Sequence, residues 1–263
     1  MAGQDGPFTV ETLVGDLRAL GIEPGMTLVV HSSLRAIGWV SGGAQAVVLA
    51  LQEALGEGGT LVMPTHSTHL SDPDNWQNPP LPDRSWHEPV RASMPAYDPD
   101  LTPTRSMGAI VDCFRSQRDA VRSGHPQYSF AARGPNAARI AEGHALANGL
   151  GDEAPLARVY DLDGWVLLLG VPHANNTSLH LAEWRSGTRA RQRGGAPVLV
   201  DGRREWVTFE DFDGDAEVFD ALGADFARET GGERVGAVGK ATSRLMRQRA
   251  LVDYGVEWLR RRA

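Results

Sequence analysis

Thr27-Leu28-Val29-Val30-His31 is a short β-branched apolar run that stops at the polar pair Ser32-Ser33, and its continuation as far as Met63 decides the fold. A run of this composition suits a strand buried on both faces. Ser41 then offers a helix N-cap, Gly42-Gly43 a close-approach turn, and Ala44 to Leu55 a helix ending at Gly56. Thr60-Leu61-Val62-Met63 supplies the next strand. Strand, loop, helix and strand in this order make a βαβ unit, so an α/β fold is expected, with a parallel or mixed sheet and helices on its faces.

On the N-terminal side, Val10, Leu13, Val14, Leu17 and Leu20 recur at helical spacing, and Gly21 closes the helix. On the C-terminal side the character changes. Nine of the sixteen prolines fall between Pro64 and Pro103, with Trp76, Trp86 and Tyr97 among them and no helical or alternating period. We read residues 64–105 as one long ordered loop, the kind of segment that walls a binding site. Between Asp72 and Asp100 it carries the acids Asp72, Asp74, Asp83, Glu88, Asp98 and Asp100, against Arg84 and Arg91. Beyond it we expect helices over Met107 to Arg115 and Asn136 to Ala147, with a strand at Tyr128 to Ala132 between them. A central strand comes next at Trp165 to Gly170, and Asn175-Asn176-Thr177 caps a helix from Ser178 to Trp184. Asp201-Gly202 between two β-rich runs marks a hairpin over 197–209, and helices over Ala216 to Arg228 and Lys240 to Leu259 close the chain. No repeat or linker interrupts it, so residues 1–263 read as a single domain.

The 263 residues are 41% hydrophobic and 22% charged, enough to bury a sizeable core and too apolar for a disordered chain. No apolar run approaches the roughly 20 residues of a membrane span. Residues 1–5 show no export pattern, so we expect a soluble cytoplasmic protein without a membrane partner. A single cysteine, Cys113, excludes an internal disulfide and a cysteine zinc cluster, and its apolar neighbours predict a buried, inert thiol. The net charge of −7 disfavours nucleic acid and is compatible with a cationic small ligand.

The densest chemical signal is Asn176-Thr177-Ser178-Leu179-His180-Leu181-Ala182-Glu183. Thr177, His180 and Glu183 are spaced by three, near one helix face, at the carboxyl end of an apolar strand. A carboxylate beside an imidazole fixes its tautomer and lets the other ring nitrogen accept a proton. Spacing alone leaves an exposed helix pair open as the blander reading. The polar turn His31-Ser32-Ser33-Leu34-Arg35 with Gly42 and Gly43 could hold phosphate on backbone N–H groups, or be an ordinary βα turn. The acids Glu205, Glu210, Asp211, Asp213, Asp215 and Glu217 would gather a cation or form a solvated face, and Arg185, Arg189, Arg191 and Arg193 read as a flexible basic surface loop. His66 with His69, and His180 with Glu183, match no zinc spacing, so no metal is expected. G-x-S-x-G is absent as well, which removes a hydrolase nucleophile elbow.

Several of these stretches in order resemble the aminoglycoside 3-N-acetyltransferase family. They are Val29-Val30-His31-Ser32-Ser33-Leu34, Gly58-Gly59-Thr60-Leu61-Val62-Met63-Pro64-Thr65, Tyr97-Asp98-Pro99 and Thr102-Pro103-Thr104-Arg105-Ser106-Met107-Gly108. Arg122-Ser123-Gly124-His125-Pro126, Ser129-Phe130-Ala131-Ala132-Arg133-Gly134 and Leu168-Leu169-Gly170-Val171 through Glu183 continue the likeness. Arg191-Gln192-Arg193-Gly194-Gly195-Ala196 matches the pyrophosphate pattern of GNAT acetyltransferases, but it leads into a hairpin where that fold has a helix, and we treat it as coincidence.

The resemblance implies a three-layer α/β fold distinct from GNAT, acetyl-CoA as co-substrate, and the 3-amino group of a 2-deoxystreptamine aminoglycoside as acceptor, conferring antibiotic resistance. It further implies His180 as general base, Glu183 as its orienting partner and Thr177 as a hydrogen-bonding group at the reacting carbonyl. Ser32, Ser33, Leu34, Arg35, Gly42 and Gly43 would cradle the CoA pyrophosphate, and Ser106, Met107 and Gly108 would border the pantetheine arm. Asp72, Glu88, Tyr97, Asp98, Glu210, Asp211 and Asp213 would meet the cationic drug. A monomer or homodimer is expected. Two alternatives remain: a CoA-dependent N-acetyltransferase for another amine, such as an aminophosphonate or metabolite, and a CoA-binding protein without turnover.

Overall fold

The computed structural model describes residues 6–77 and 79–263; residues 1–5, on which the expectation about an export pattern falls, and Asn78 of the long loop lie outside them. Helix α1 (Val10–Leu20) leads to β1 (Thr27–Ser32), the short α2 (Leu34–Ile37), α3 (Gly43–Leu55) and β2 (Thr60–Pro64). Next come α4 (His87–Ser93), α5 (Ala109–Arg115), β3 (Val121–Arg122), β4 (Phe130–Arg133), α6 (Ala137–Ala141) and α7 (Pro155–Asp161). The chain continues through β5 (Trp165–Leu169), α8 (Ser178–Ser186), β6 (Arg191–Val200), β7 (Arg203–Phe212), α9 (Phe219–Thr230), β8 (Glu233–Val238), β9 (Ala241–Arg247) and α10 (Gln248–Arg260).

Seven strands form one mixed sheet in the order β3-β4-β2-β1-β5-β9-β8. Its centre, β2, β1 and β5, is parallel, and β4 and β9 join it antiparallel. Successive side chains of a strand face opposite ways, so Leu28 and Val30 enter a core with α1, α3 and α5, whereas Val29 enters another with α6 to α10. Helices thus cover both faces, as the sequence predicts. The hairpin of β6 and β7 is a separate two-stranded sheet. No helix among the described residues is long and apolar enough to cross a membrane.

The larger differences from the sequence reading are these. The segment over 64–105 is not a continuous loop, because it holds α4 and two 3-10 turns. Ser33 is the N-cap of α2, so the Ser32 to Arg35 stretch becomes a helical turn. The hairpin extends to 191–212, since its register continues from Val200–Arg203 to Arg191–Phe212. The helix expected over Asn136 to Ala147 stops at Ala141. The helix expected from Lys240 begins only at Gln248, because residues 241–247 pair with β5 and β8.

Candidate active site

The parallel strands β1, β2 and β5 end together, and such an edge is where open α/β sheets receive ligands. Gly170, directly after β5, has φ 72°, and a Cβ there would sit 2.5 Å from the Ala36 side chain. The absence of a side chain lets α2 close onto the end of β5, where Ser33 N–H donates to the Leu169 carbonyl at 3.0 Å. Beyond Gly170 the chain reaches α8, whose first turn is capped by Asn176 Oδ1 accepting from Ser178 N–H at 3.2 Å. Thr177 makes no cap bond, so its hydroxyl is left for other work, and it lies 3.4 Å from His31 Nε2.

His180, one turn along α8, donates from Nδ1 to Glu183 Oε2 at 2.6 Å. Glu183 is fully buried. Its other oxygen accepts from Arg189 Nε at 2.6 Å and from Asp215 N–H at 3.2 Å. Phe219 packs against the imidazole at 4.9 Å between ring centroids. Gly214 adjoins it so closely that a Cβ there would come 3.0 Å from Nδ1. The Nε2 of His180 makes no hydrogen bond among the described residues. A ring anchored through Nδ1 to a carboxyl group, with Nε2 open, has the arrangement of a general base.

Histidines also close the site from the neighbouring strand ends. Burial, with His180 adding to it, pushes His31 at the end of β1 down to about 3. Burial and the neighbouring histidines do the same to His66 after β2, also to about 3. Both rings are therefore neutral, and His66 Nε2 is buried without a partner.

The proposed CoA residues fall in three places. Ser32, Ser33, Leu34 and Arg35 stand at the end of β1 beside the end of β5, and the Ser32 hydroxyl is buried without a partner. Ser106 (φ 60°), Met107 and Gly108 form a turn before α5, joined to the site where Arg105 N–H donates to the His66 carbonyl at 2.8 Å. Gly42 and Gly43 start α3 and are held instead near Phe8, through Ser41 N–H to its carbonyl at 2.8 Å.

Asp72 and Asp211 line one cavity of about 170 Å³ with Thr68, Gln127 and Tyr128. Burial pushes the Asp211 carboxyl up to about 6. Asp72 and Glu88 are already engaged by Arg91, at 2.6 Å and 2.5 Å. Tyr97 is buried and donates to the Ser123 carbonyl at 2.8 Å, and Asp98 caps its own turn through the N–H groups of Asp100 and Leu101. Glu210 is exposed and faces Arg191 at 3.5 Å. Asp213 is exposed as well, and its N–H donates to the Ala190 carbonyl at 2.9 Å.

The arginine group is not a flexible basic loop. Arg185 pairs with Asp152 at 2.8 Å and Arg193 reaches Thr208 at 3.2 Å, while Arg189 turns inward to Glu183. Cys113 is half-buried on α5, more open than its apolar neighbours suggest. Sequence reasoning missed Arg189 and Asp215 as partners of Glu183. The available signal was Gly187, whose left-handed C-cap turns the chain back toward α8.

A family model described as "Aminoglycoside 3-N-acetyltransferase" matches residues 29–260. The chain is 44% identical to an SPbeta prophage-derived aminoglycoside N(3')-acetyltransferase-like protein, YokD, of Bacillus subtilis (strain 168), across 96% of this chain and 92% of the relative. Superposed on the crystal structure of YokD it gives a TM-score of 0.95, with 43% identity, covering 97% of this chain and 94% of that one. It is 36% identical to aminoglycoside N(3)-acetyltransferase VII of Streptomyces paromomycinus, over 97% of this chain and 92% of the relative. Similar structures include AAC-IIIb as a binary complex with CoASH, with TM-score 0.85, 27% identity and 98% of each chain covered. AAC-VIa bound to sisomicin gives TM-score 0.84 and 32% identity over 98% of this chain and 99% of that one.

Proposed function

The chain belongs to the aminoglycoside 3-N-acetyltransferase family, and on that premise we propose that it moves the acetyl group of acetyl-CoA to the 3-amino group on the 2-deoxystreptamine ring of an aminoglycoside. The relatives' names and the CoASH and sisomicin complexes of similar proteins support this reading. The observation that carries it is the 2.6 Å bond from His180 Nδ1 to the buried Glu183, which commits one nitrogen and leaves the other free.

His180 Nε2 removes a proton from the acceptor's ammonium, so that a neutral amine attacks the thioester carbonyl. Glu183 stabilises the imidazolium this creates. The Thr177 hydroxyl, free of capping duty, donates to the oxyanion of the tetrahedral intermediate. As the C–N bond forms and the C–S bond breaks, His180 returns a proton to the departing sulfur. The ammonium loses two protons in all, one leaving on the CoA thiol and the other in solvent. Direct transfer fits a chain whose one cysteine, Cys113, packs against the core of α1, α3 and α5, on the sheet face opposite to α8.

Ser32 to Arg35 are assigned to CoA, supported by their place at the end of β1, and so are Ser106 to Gly108, supported by the bond from Arg105 N–H to the His66 carbonyl beside them. Gly42 and Gly43 have no contact that supports the same role. Asp211, Asp213 and Glu210 are assigned to the drug's ammonium groups, with Asp72 joining Asp211 in their shared cavity. Arg91 already neutralises Asp72 and Glu88, which thins the acidic wall and favours, as a second reading, an acceptor amine with fewer charges.

The test is release of CoA thiol with a panel of aminoglycosides and simple amines. Aminoglycosides are expected to turn over fastest, and His180→Ala to lower kcat/KM by about 10²- to 10⁴-fold while leaving the fold intact. Near-normal turnover in that variant removes His180 from the mechanism, and faster turnover of simple amines selects the second reading.

A further inference from the structure

We propose that Arg189 is a positioning residue that keeps the His180–Glu183 couple ready to accept a proton at neutral pH. This rests on His180 being the general base. Glu183 is wholly enclosed, so its charge depends on partners within reach. Arg189 places Nε and Nη2 each 2.6 Å from Oε1, the oxygen that His180 does not use. The guanidinium is itself fixed, donating from Nη2 to the Asp215 carbonyl at 3.1 Å, with Nη1 3.8 Å from the Asp215 carboxylate.

The groups facing His180 come from several elements. Glu183 is on α8 itself, Arg189 is in the segment from α8 to β6, and Asp211 and Asp215 stand at and beyond the end of β7. His31 and His66, both neutral, face it from the ends of β1 and β2. With Arg189 in place, the guanidinium, the Glu183 carboxylate and the neutral ring sum to zero charge, and an added proton makes these three groups together a cation. Without it the couple starts as an anion and takes up a proton more readily, whether that proton settles on ring or carboxylate. A couple that already holds its proton cannot strip one from the acceptor. A unit charge at this range, partly screened because Arg189 is 24% exposed, should move the titration by about one pH unit.

The experiment is an NMR titration of histidine-labelled protein without substrates, with the His180 ring assigned by its loss in His180→Asn. Arg189→Gln is expected to raise the midpoint by about one pH unit, and Arg189→Lys, which keeps the charge, to restore most of it. The acidic limb of kcat/KM should move with the midpoint. An unchanged midpoint in folded Arg189→Gln, or equal shifts in the Gln and Lys variants, overturns the proposal. Arg189→Met, similar in volume and uncharged, replaces the Gln variant should that one not fold. A midpoint that moves while the kinetic limb stays still supports the role of Arg189 and refutes His180 as the base.

Discussion

Asp211 shows how much a single carboxyl can depend on its surroundings. Burial pushes it up to about 6, so in the free protein it gains its charge only as pH rises through that value. We therefore expect the KM for an aminoglycoside to fall between pH 5 and 7. Asp211→Asn combined with Asp213→Asn should raise that KM by roughly tenfold at neutral pH, flatten its pH dependence, and change the KM for acetyl-CoA far less. Steady-state kinetics at two salt concentrations check this, because the electrostatic part must shrink in the stronger salt. The His180–Glu183 pair was legible in the sequence because i,i+3 spacing alone brings both to one face. Arg189 was not, because it lies past the end of the helix and reaches Glu183 only through the turn at Gly187. The pairing of Asp72 and Glu88 with Arg91 was hidden for a related reason: Arg91, which neutralises both, is positioned by α4, a helix the proline density of the segment disguises.

Arg122 on β3 ties down both ends of the segment over 64–105. It donates to the Thr65 carbonyl at 2.7 Å near the start, and to the carbonyls of Thr102 at 2.6 Å and Pro99 at 3.1 Å near the end. Arg122→Ala should leave these carbonyls unpaired, destabilise the protein by about 3 kcal/mol and raise the acceptor KM, with kcat falling less. Thermal melts and initial rates measure both, and an unchanged melting temperature would show that this closure is dispensable. The strands β1, β2 and β5 and the helices α1 and α3 were readable because each carries one period and a clear stop. β9 was not. Residues 241–247 contain good helix formers and no proline or glycine before α10, so local preference continues the helix backward. Pairing with β5 and β8 overrides that preference, and the alternation of buried Ala241, Ser243 and Leu245 is too short to outweigh it in the sequence.

Across the whole molecule, enclosed imidazoles link stability to pH. His31, His66 and His144 are lowered to about 3 and His125 to about 4, in each case chiefly by burial. Unfolding returns each to about 6.5, so the unfolded chain binds more protons throughout the interval between, and stability falls as pH drops below 6.5. Each ring costs on the order of 2 kcal/mol by pH 5, while Asp211, raised from 3.8 to about 6, works the other way and offsets only one of them. The melting temperature is expected to be nearly flat above pH 7 and to fall steeply below 6.5. A profile flat down to pH 5 would contradict the neutral state of these rings.

The separation of the β6–β7 hairpin from the main sheet bears on how such a protein can diversify. On the proposed reading, thioester chemistry stands on strand ends locked between two cores, whereas Glu210, Asp211 and Asp213, assigned to the second substrate, stand on or just beyond a ribbon held by bonds such as Tyr97 N–H to the Pro197 carbonyl and Gln127 Nε2 to the Gly195 carbonyl. The ribbon's outer end, where Leu199 and Val200 are exposed, is the part that can change length or charge with little penalty to folding, whereas Ala196 and Phe212 are buried and Arg189 and Asp215 at its two roots hold Glu183. On the proposed assignment, acceptor preference is the property such changes would alter.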